Sequence, residues 1–144
     1  MRLVIGSDHR GLQLKKRVIE LVQNAGHTIE DYGAYTEERV DYPDIAKKVG
    51  DAVVKGTFDR GILICGTGIG MCIASNKVKG IRAALAFNEF TACRGRQHND
   101  ANIMCLGAEN DQSELPKMVQ AFLDCKFEGG RHQQRVEMLR EMEK

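Results

Sequence analysis

The chain has 144 residues, 42% hydrophobic and 28% charged, the balance of a globular protein with enough apolar side chains for a core of its own. With 21 Lys and Arg against 20 Asp and Glu, the formal net charge is +1, so no overall field points to nucleic acid or to a membrane surface. No apolar run approaches the roughly 18 residues of a membrane span. "MRLVIGSDHR" turns polar too soon for a secretory signal, which makes the cytoplasm the expected compartment.

In chain order, "RLVIG" reads as a strand. "LQLKKRVIELVQNAG" has apolar residues at helical spacing and stops at Asn24-Ala25-Gly26. "HTIEDYG" is a second, weaker strand, and "DYPDIAKKVGDAVVKG" a helix with Asp41 as expected cap, Pro43 in its first turn and Gly56 at its end. "RGILIC" is a strand and "GMCIASNKVKG" a short helix, followed by strand "IRAALAF" and helix "NEFTACRGRQH". "ANIMCLG" is the last strand, "SELPKMVQAFLDCKF" a helix, and "GGRHQQRVEMLREMEK" a Gly-Gly hinge with a charged helix. Strands alternating with helices predict an α/β domain of three layers around a parallel sheet, with residues 1–144 as one unit. "GILIC" and "NIMCLG" are apolar throughout, as strands covered on both faces are.

Five cysteines, Cys65, Cys72, Cys93, Cys105 and Cys125, are odd in number and widely spaced. That argues against a disulfide framework, and no spacing resembles a zinc site, so most read as small core residues. Cys65 stands apart. Ligands of open α/β sheets bind beyond the carboxyl ends of the strands, and Cys65 closes the third strand there, ahead of Gly66-Thr67-Gly68-Ile69-Gly70. The glycines allow a sharp turn and a close backbone approach, and the helix that follows aims free N–H groups at an anion. The spacing G-x-G-x-G is not that of a dinucleotide fold, and no G-K-[ST] follows, so a nucleotide phosphate fits poorly. A phosphatase would need an arginine where Met71 stands. Two readings of Cys65 remain open. It is an inert thiol, or it is a thiolate base for a carbon-bound proton beside a carbonyl, with the loop amides stabilising the enolate by roughly 3–4 kcal/mol per donor.

Further polar clusters bear on that choice. Asp8, His9 and Arg10 lie on the first ligand-facing turn. His98 and Asn99 precede the fifth strand, at the wrong end of the sheet for the same subunit's pocket, where a surface role competes with service to a neighbour's pocket. Arg131 and Arg135, at i and i+4, form either a phosphate clamp or a solvated basic edge.

Taken together, "GSDHRG", "DYPD", "ILICGTGIG", "NKVKGIRAA", "RQHNDAN" and "EGGRHQQRV" resemble the type B ribose-5-phosphate isomerases, a family that includes allose-6-phosphate and galactose-6-phosphate isomerases. The resemblance implies a doubly wound, Rossmann-like sheet of five parallel strands ordered 2-1-3-5-4. It implies a homodimer, or a dimer of dimers, whose C-terminal helix reaches the partner. It further implies aldose–ketose interconversion of a sugar phosphate through a cis-enediolate, with no metal and no cofactor. By the same resemblance, Cys65 is the base and Gly66, Thr67, Gly68, Ile69 and Gly70 form the anion hole, Thr67 also moving protons between hydroxyls. His98 opens the sugar ring with Asp8 from the other subunit, Asn99 contacts the sugar, and His9, Arg131 and Arg135 hold the phosphate.

The chain departs from that pattern at Arg10, where a small or apolar residue is frequent, at Cys72 for a usual serine, and at Glu109 for an arginine of the ribose enzymes. Arg10 is the replacement cation expected at the phosphate. Ribose 5-phosphate is the expected substrate. Allose 6-phosphate, galactose 6-phosphate or a tetrose phosphate are alternatives, as is a binding module without chemistry.

Overall fold

The computed structural model describes residues 1–144. The elements in order are β1 (Arg2–Ser7), α1 (Leu12–Asn24), β2 (Thr28–Asp31), α2 (Tyr42–Val54), β3 (Arg60–Cys65), α3 (Ile69–Ser75), β4 (Ala83–Leu85), α4 (Glu89–Asn99), β5 (Ile103–Gly107), α5 (Leu115–Asp124) and α6 (Arg131–Glu141). The five strands form one sheet ordered β2-β1-β3-β5-β4, and every neighbouring pair is parallel. No helix is long and apolar enough to cross a membrane.

The two-residue period of the strands divides the core. Leu3, Ile5, Ile62, Ile64, Met104 and Leu106 face one side, where they pack with α1 and α5 residues such as Val18 and Phe122. Val4, Leu63, Cys65, Ile103 and Cys105 face the other, against Ile45 and Val49 of α2 and Met71 of α3. Each large side chain buried this way contributes about 1.5–3 kcal/mol relative to exposure. Cys65 thus points to the face that α2 and α3 cover.

Helix ends follow the sequence in part. Gly26 and Gly56 carry the positive φ angles (91° and 80°) that stop α1 and α2. Asn88 caps α4 with Thr91 in a reciprocal capping box. Asp41 stands at the N-cap of α2, yet its side chain makes no capping bond; it lines a cleft instead. On α1, Lys15 is buried and pairs with Asp31 at 3.0 Å, tying the end of β2 to the helix.

The expectation of unpaired thiols fails for two of the five. Cys93 on α4 and Cys125, just past α5, form a disulfide across 32 residues, while Cys65, Cys72 and Cys105 stay free. The packing of α4 against α5 brings the two sulfurs together, a long-range fact that spacing along the chain does not carry.

Candidate active site

A cleft of about 820 Å³ opens beyond the carboxyl ends of β1 and β3. β3 delivers Cys65 to its wall, 5% exposed, and the glycine turn follows at once. Gly68 takes a left-handed φ of 80°, and a Cβ there would come within 2.7 Å of Leu85 and 2.9 Å of the Leu106 backbone, so only glycine fits. Thr67 Oγ1 accepts the Ile69 N–H at 3.2 Å. That bond uses the oxygen's lone pair and leaves the hydroxyl proton to be given elsewhere. A Cβ on Gly70 would strike the Tyr42 ring at 2.7 Å, so Tyr42 lies directly on the turn.

β1 supplies the second wall. Asp8, 7% exposed, accepts the Arg10 N–H at 2.9 Å and so caps the turn at His9–Gly11. His9 Nδ1 accepts the Val40 N–H at 3.4 Å. The ring proton of neutral His9 therefore sits on Nε2, which can donate to an anion. The Arg10 guanidinium pairs with Glu109 at 3.0 Å.

Of the residues expected at the site, Asp8, His9, Arg10, Cys65, Gly66, Thr67, Ile69 and Gly70 line this one cleft. His98, Asn99, Arg131 and Arg135 do not. His98 lies in the last turn of α4, at the other end of the sheet, stacked on His132 of α6 at 4.2 Å with the rings 12° from parallel. Burial lowers the His132 pKa, reinforced by the neighbouring His98. Asn99 lines a groove beside Leu139 and Met142, and Arg131 and Arg135 are exposed on α6. Within one chain, then, the cleft is lined by eight of the thirteen expected residues, and Gly68 sits in the turn between two of them.

His98, Glu128 and His132 place their potential ligand atoms within 4.8 Å of one another. The two imidazoles stack face to face, so their in-plane lone pairs run side by side and do not converge on one ion as zinc ligands do.

The sequence reading overlooked Arg39, Val40, Asp41, Tyr42 and Ile73 as cleft residues. Arg39, Val40 and Asp41 come from the loop after β2, and Tyr42 is the first residue of α2. That strand's carboxyl end deserved the scrutiny given to the others, and the charged, aromatic "ERVDYPD" was its signal.

Comparison with known proteins agrees with this geometry. Residues 3–139 match the family described as Ribose/Galactose Isomerase. The ribose-5-phosphate isomerase B of Escherichia coli is 44% identical over 99% of this chain and 96% of its own. A probable ribose-5-phosphate isomerase B of Mycoplasma genitalium is 47% identical over 99% and 95%. Among solved structures, Clostridium thermocellum ribose-5-phosphate isomerase B superposes with a TM-score of 0.96 at 45% identity, covering 99% of this chain and 97% of that one. The M. genitalium enzyme, with bound ribulose-5-phosphate, gives 0.93 at 46%, covering 99% and 95%. With residues 3–139 matching the family and relatives at 44–47% identity aligned over nearly its whole length, the chain belongs to the ribose/galactose isomerase family.

Proposed function

We propose that the chain interconverts ribose 5-phosphate and ribulose 5-phosphate through a cis-enediolate, with Cys65 as the base. Family membership makes it an aldose–ketose isomerase of sugar phosphates. The ribose substrate is favoured by relatives that carry that name and by the ribulose-5-phosphate bound to the M. genitalium enzyme. The observation that carries the catalytic reading is the position of Cys65: a cysteine at the end of a central strand, on the wall of a cleft, immediately before a turn rich in backbone donors.

The chemistry runs as follows. The Cys65 thiolate takes the C2 proton of the open-chain aldose. The C–H electrons form the C1–C2 double bond, and the carbonyl oxygen becomes an oxyanion held by N–H groups of Gly66 to Gly70. The Thr67 hydroxyl passes a proton between O1 and O2, and the Cys65 thiol returns its proton to C1. His9 and Arg10 receive the phosphate. A second copy of the chain completes the site with His98 for ring opening beside Asp8, Asn99 for the sugar, and Arg131 and Arg135 for the phosphate. This assembly accounts for the separation of those four residues from the cleft in a single chain.

Proton NMR in heavy water tests the substrate. Ribose 5-phosphate should lose its C2 proton signal at the highest kcat/KM of a panel that includes allose, galactose and tetrose phosphates. A clear preference for another member would replace ribose in the proposal.

A further inference from the structure

A second recess, with a volume of about 460 Å³, lies at the amino ends of the strands, away from the catalytic cleft. Arg60 opens β3 and Cys65 closes it; at about 3.3 Å per residue the two ends lie about 17 Å apart. The recess is lined by three guanidinium groups, Arg60, Arg82 and Arg96, with Asp59, Asp100 and Asn102 among them.

The acids do not balance the cations. Asp100 is shared, its Oδ1 accepting from Arg96 at 2.9 Å and its Oδ2 from Arg82 at 3.3 Å. Asp59 accepts the Arg2 amide at 2.7 Å. Arg60 has no carboxylate partner; it donates to the carbonyls of Phe122 and Leu123. Burial pushes the Arg60 pKa down to about 10, and the nearby Arg96 charge pushes in the same direction, against the smaller opposing pull of Asp100 and Asp59. Arg96, with a side chain 7% exposed, leaves its Nε buried without a hydrogen-bond partner. An unpartnered donor on a buried cation costs free energy.

We propose that this recess is a second anion-binding site, for a phosphate group carried free or on a small ester, set between Arg60, Arg82 and Arg96. Guanidinium forks match the oxygens of a tetrahedral oxyanion, and even with its lowered pKa Arg60 is charged near neutral pH. The recess adjoins Asp100, whose left-handed φ of 48° closes the turn right after His98 and Asn99. Arg82 Nε also donates to the Asn99 and Asp100 carbonyls, at 3.2 and 3.0 Å. An anion that draws Arg82 or Arg96 from Asp100 therefore acts on the segment that carries His98.

Amide NMR of the full chain separates this site from the cleft. Sodium phosphate is titrated against sodium chloride of equal ionic strength, with glycerol phosphate as the ester. The account predicts saturable, phosphate-specific shifts at Arg60, Arg82 and Asp100–Asn102, independent of those at Gly66–Gly70. Shifts with both ligands assign the site to the phosphate group itself, and shifts with phosphate alone assign it to the free anion. Arg60→Gln should weaken the recess response about tenfold or more, from loss of one charge-assisted contact, and leave the glycine-turn response unchanged. Should Arg60→Gln not fold, the wild-type titration decides alone. Recess amides that stay still, that move equally with chloride, or that keep wild-type affinity in a folded Arg60→Gln protein would overturn the proposal.

Discussion

Arg10 Nη1 lies 3.0 Å from Glu109 Oε1, and this ion pair bridges the turns after β1 and β5 across the top of β3. Gly66 passes beneath it: a Cβ there would come within 3.2 Å of Arg10 and 3.4 Å of the Glu109 carboxyl carbon. The two side chains are 60% and 57% exposed, so the pair itself contributes at most about 1 kcal/mol. It is weak enough for a phosphate dianion to recruit Arg10 from it.

Arg10→Ala should therefore raise KM for the preferred sugar phosphate about tenfold to a hundredfold, the loss of one charged contact worth roughly 1.5–3 kcal/mol. Glu109→Gln frees Arg10 and should lower that KM. Neither change should move the thermal midpoint by much, because both groups are solvated. Steady-state kinetics on both variants checks this, with a non-phosphorylated sugar as the control that should respond to neither.

Closing a loop of 32 residues with the Cys93–Cys125 bond should stabilise the fold by roughly 3–4 kcal/mol through the unfolded state. Thiol counting in denaturant, without reductant, should find three reactive cysteines. Cys93→Ser with Cys125→Ser should lower the denaturation midpoint and leave isomerase activity intact. Five reactive thiols would show that the bond is not formed in solution.

Pairing with the Cys105 thiol is the main cause that lowers the Cys72 pKa to about 7, while the same pairing, and then burial, drive Cys105 well up. Cys72 is only half-buried; Cys65 and Cys105 are buried. Iodoacetamide near pH 7 should label Cys72 first, as read by peptide mass spectrometry. Well below pH 7 the thiolate is protonated, and labelling should slow by about tenfold per further pH unit. Cys105→Ala removes the donor and should shift the Cys72 profile upward.

How far the sequence disclosed this molecule depended on the range of each signal. The unbroken apolar "GILIC" and the glycines after it located Cys65 and its turn, because strand burial and turn geometry are local. The strand expected over "IRAALAF" shrinks to Ala83–Leu85, since Asn102 Oδ1 takes the Arg82 amide at 2.8 Å and ends the ladder there. The helix expected to run towards Gly80 stops at Ser75, whose hydroxyl turns back to the Met71 carbonyl at 2.7 Å. The Cys93–Cys125 bond and the docking of α2 that brings Tyr42 onto Gly70 are products of packing between distant elements, which local patterns do not encode.

If two copies share the site, Cys65→Ala and His98→Asn chains, each inactive alone, should complement when refolded together. About half of the sites in a mixed dimer would hold both native residues. Mixed dimers proven by mass, yet inactive, would place the whole reaction within one chain.

The base is the core of this account, and Cys65→Ser tests it most directly. The measurement is the rate at which ribose 5-phosphate exchanges its C2 proton with heavy water on the folded variant. Serine keeps the shape of the cleft but is a far weaker base at neutral pH, so exchange should fall by about a hundredfold to ten-thousandfold. Exchange near the wild-type rate, in a protein whose melting curve is unchanged, would contradict Cys65 as the group that takes the proton.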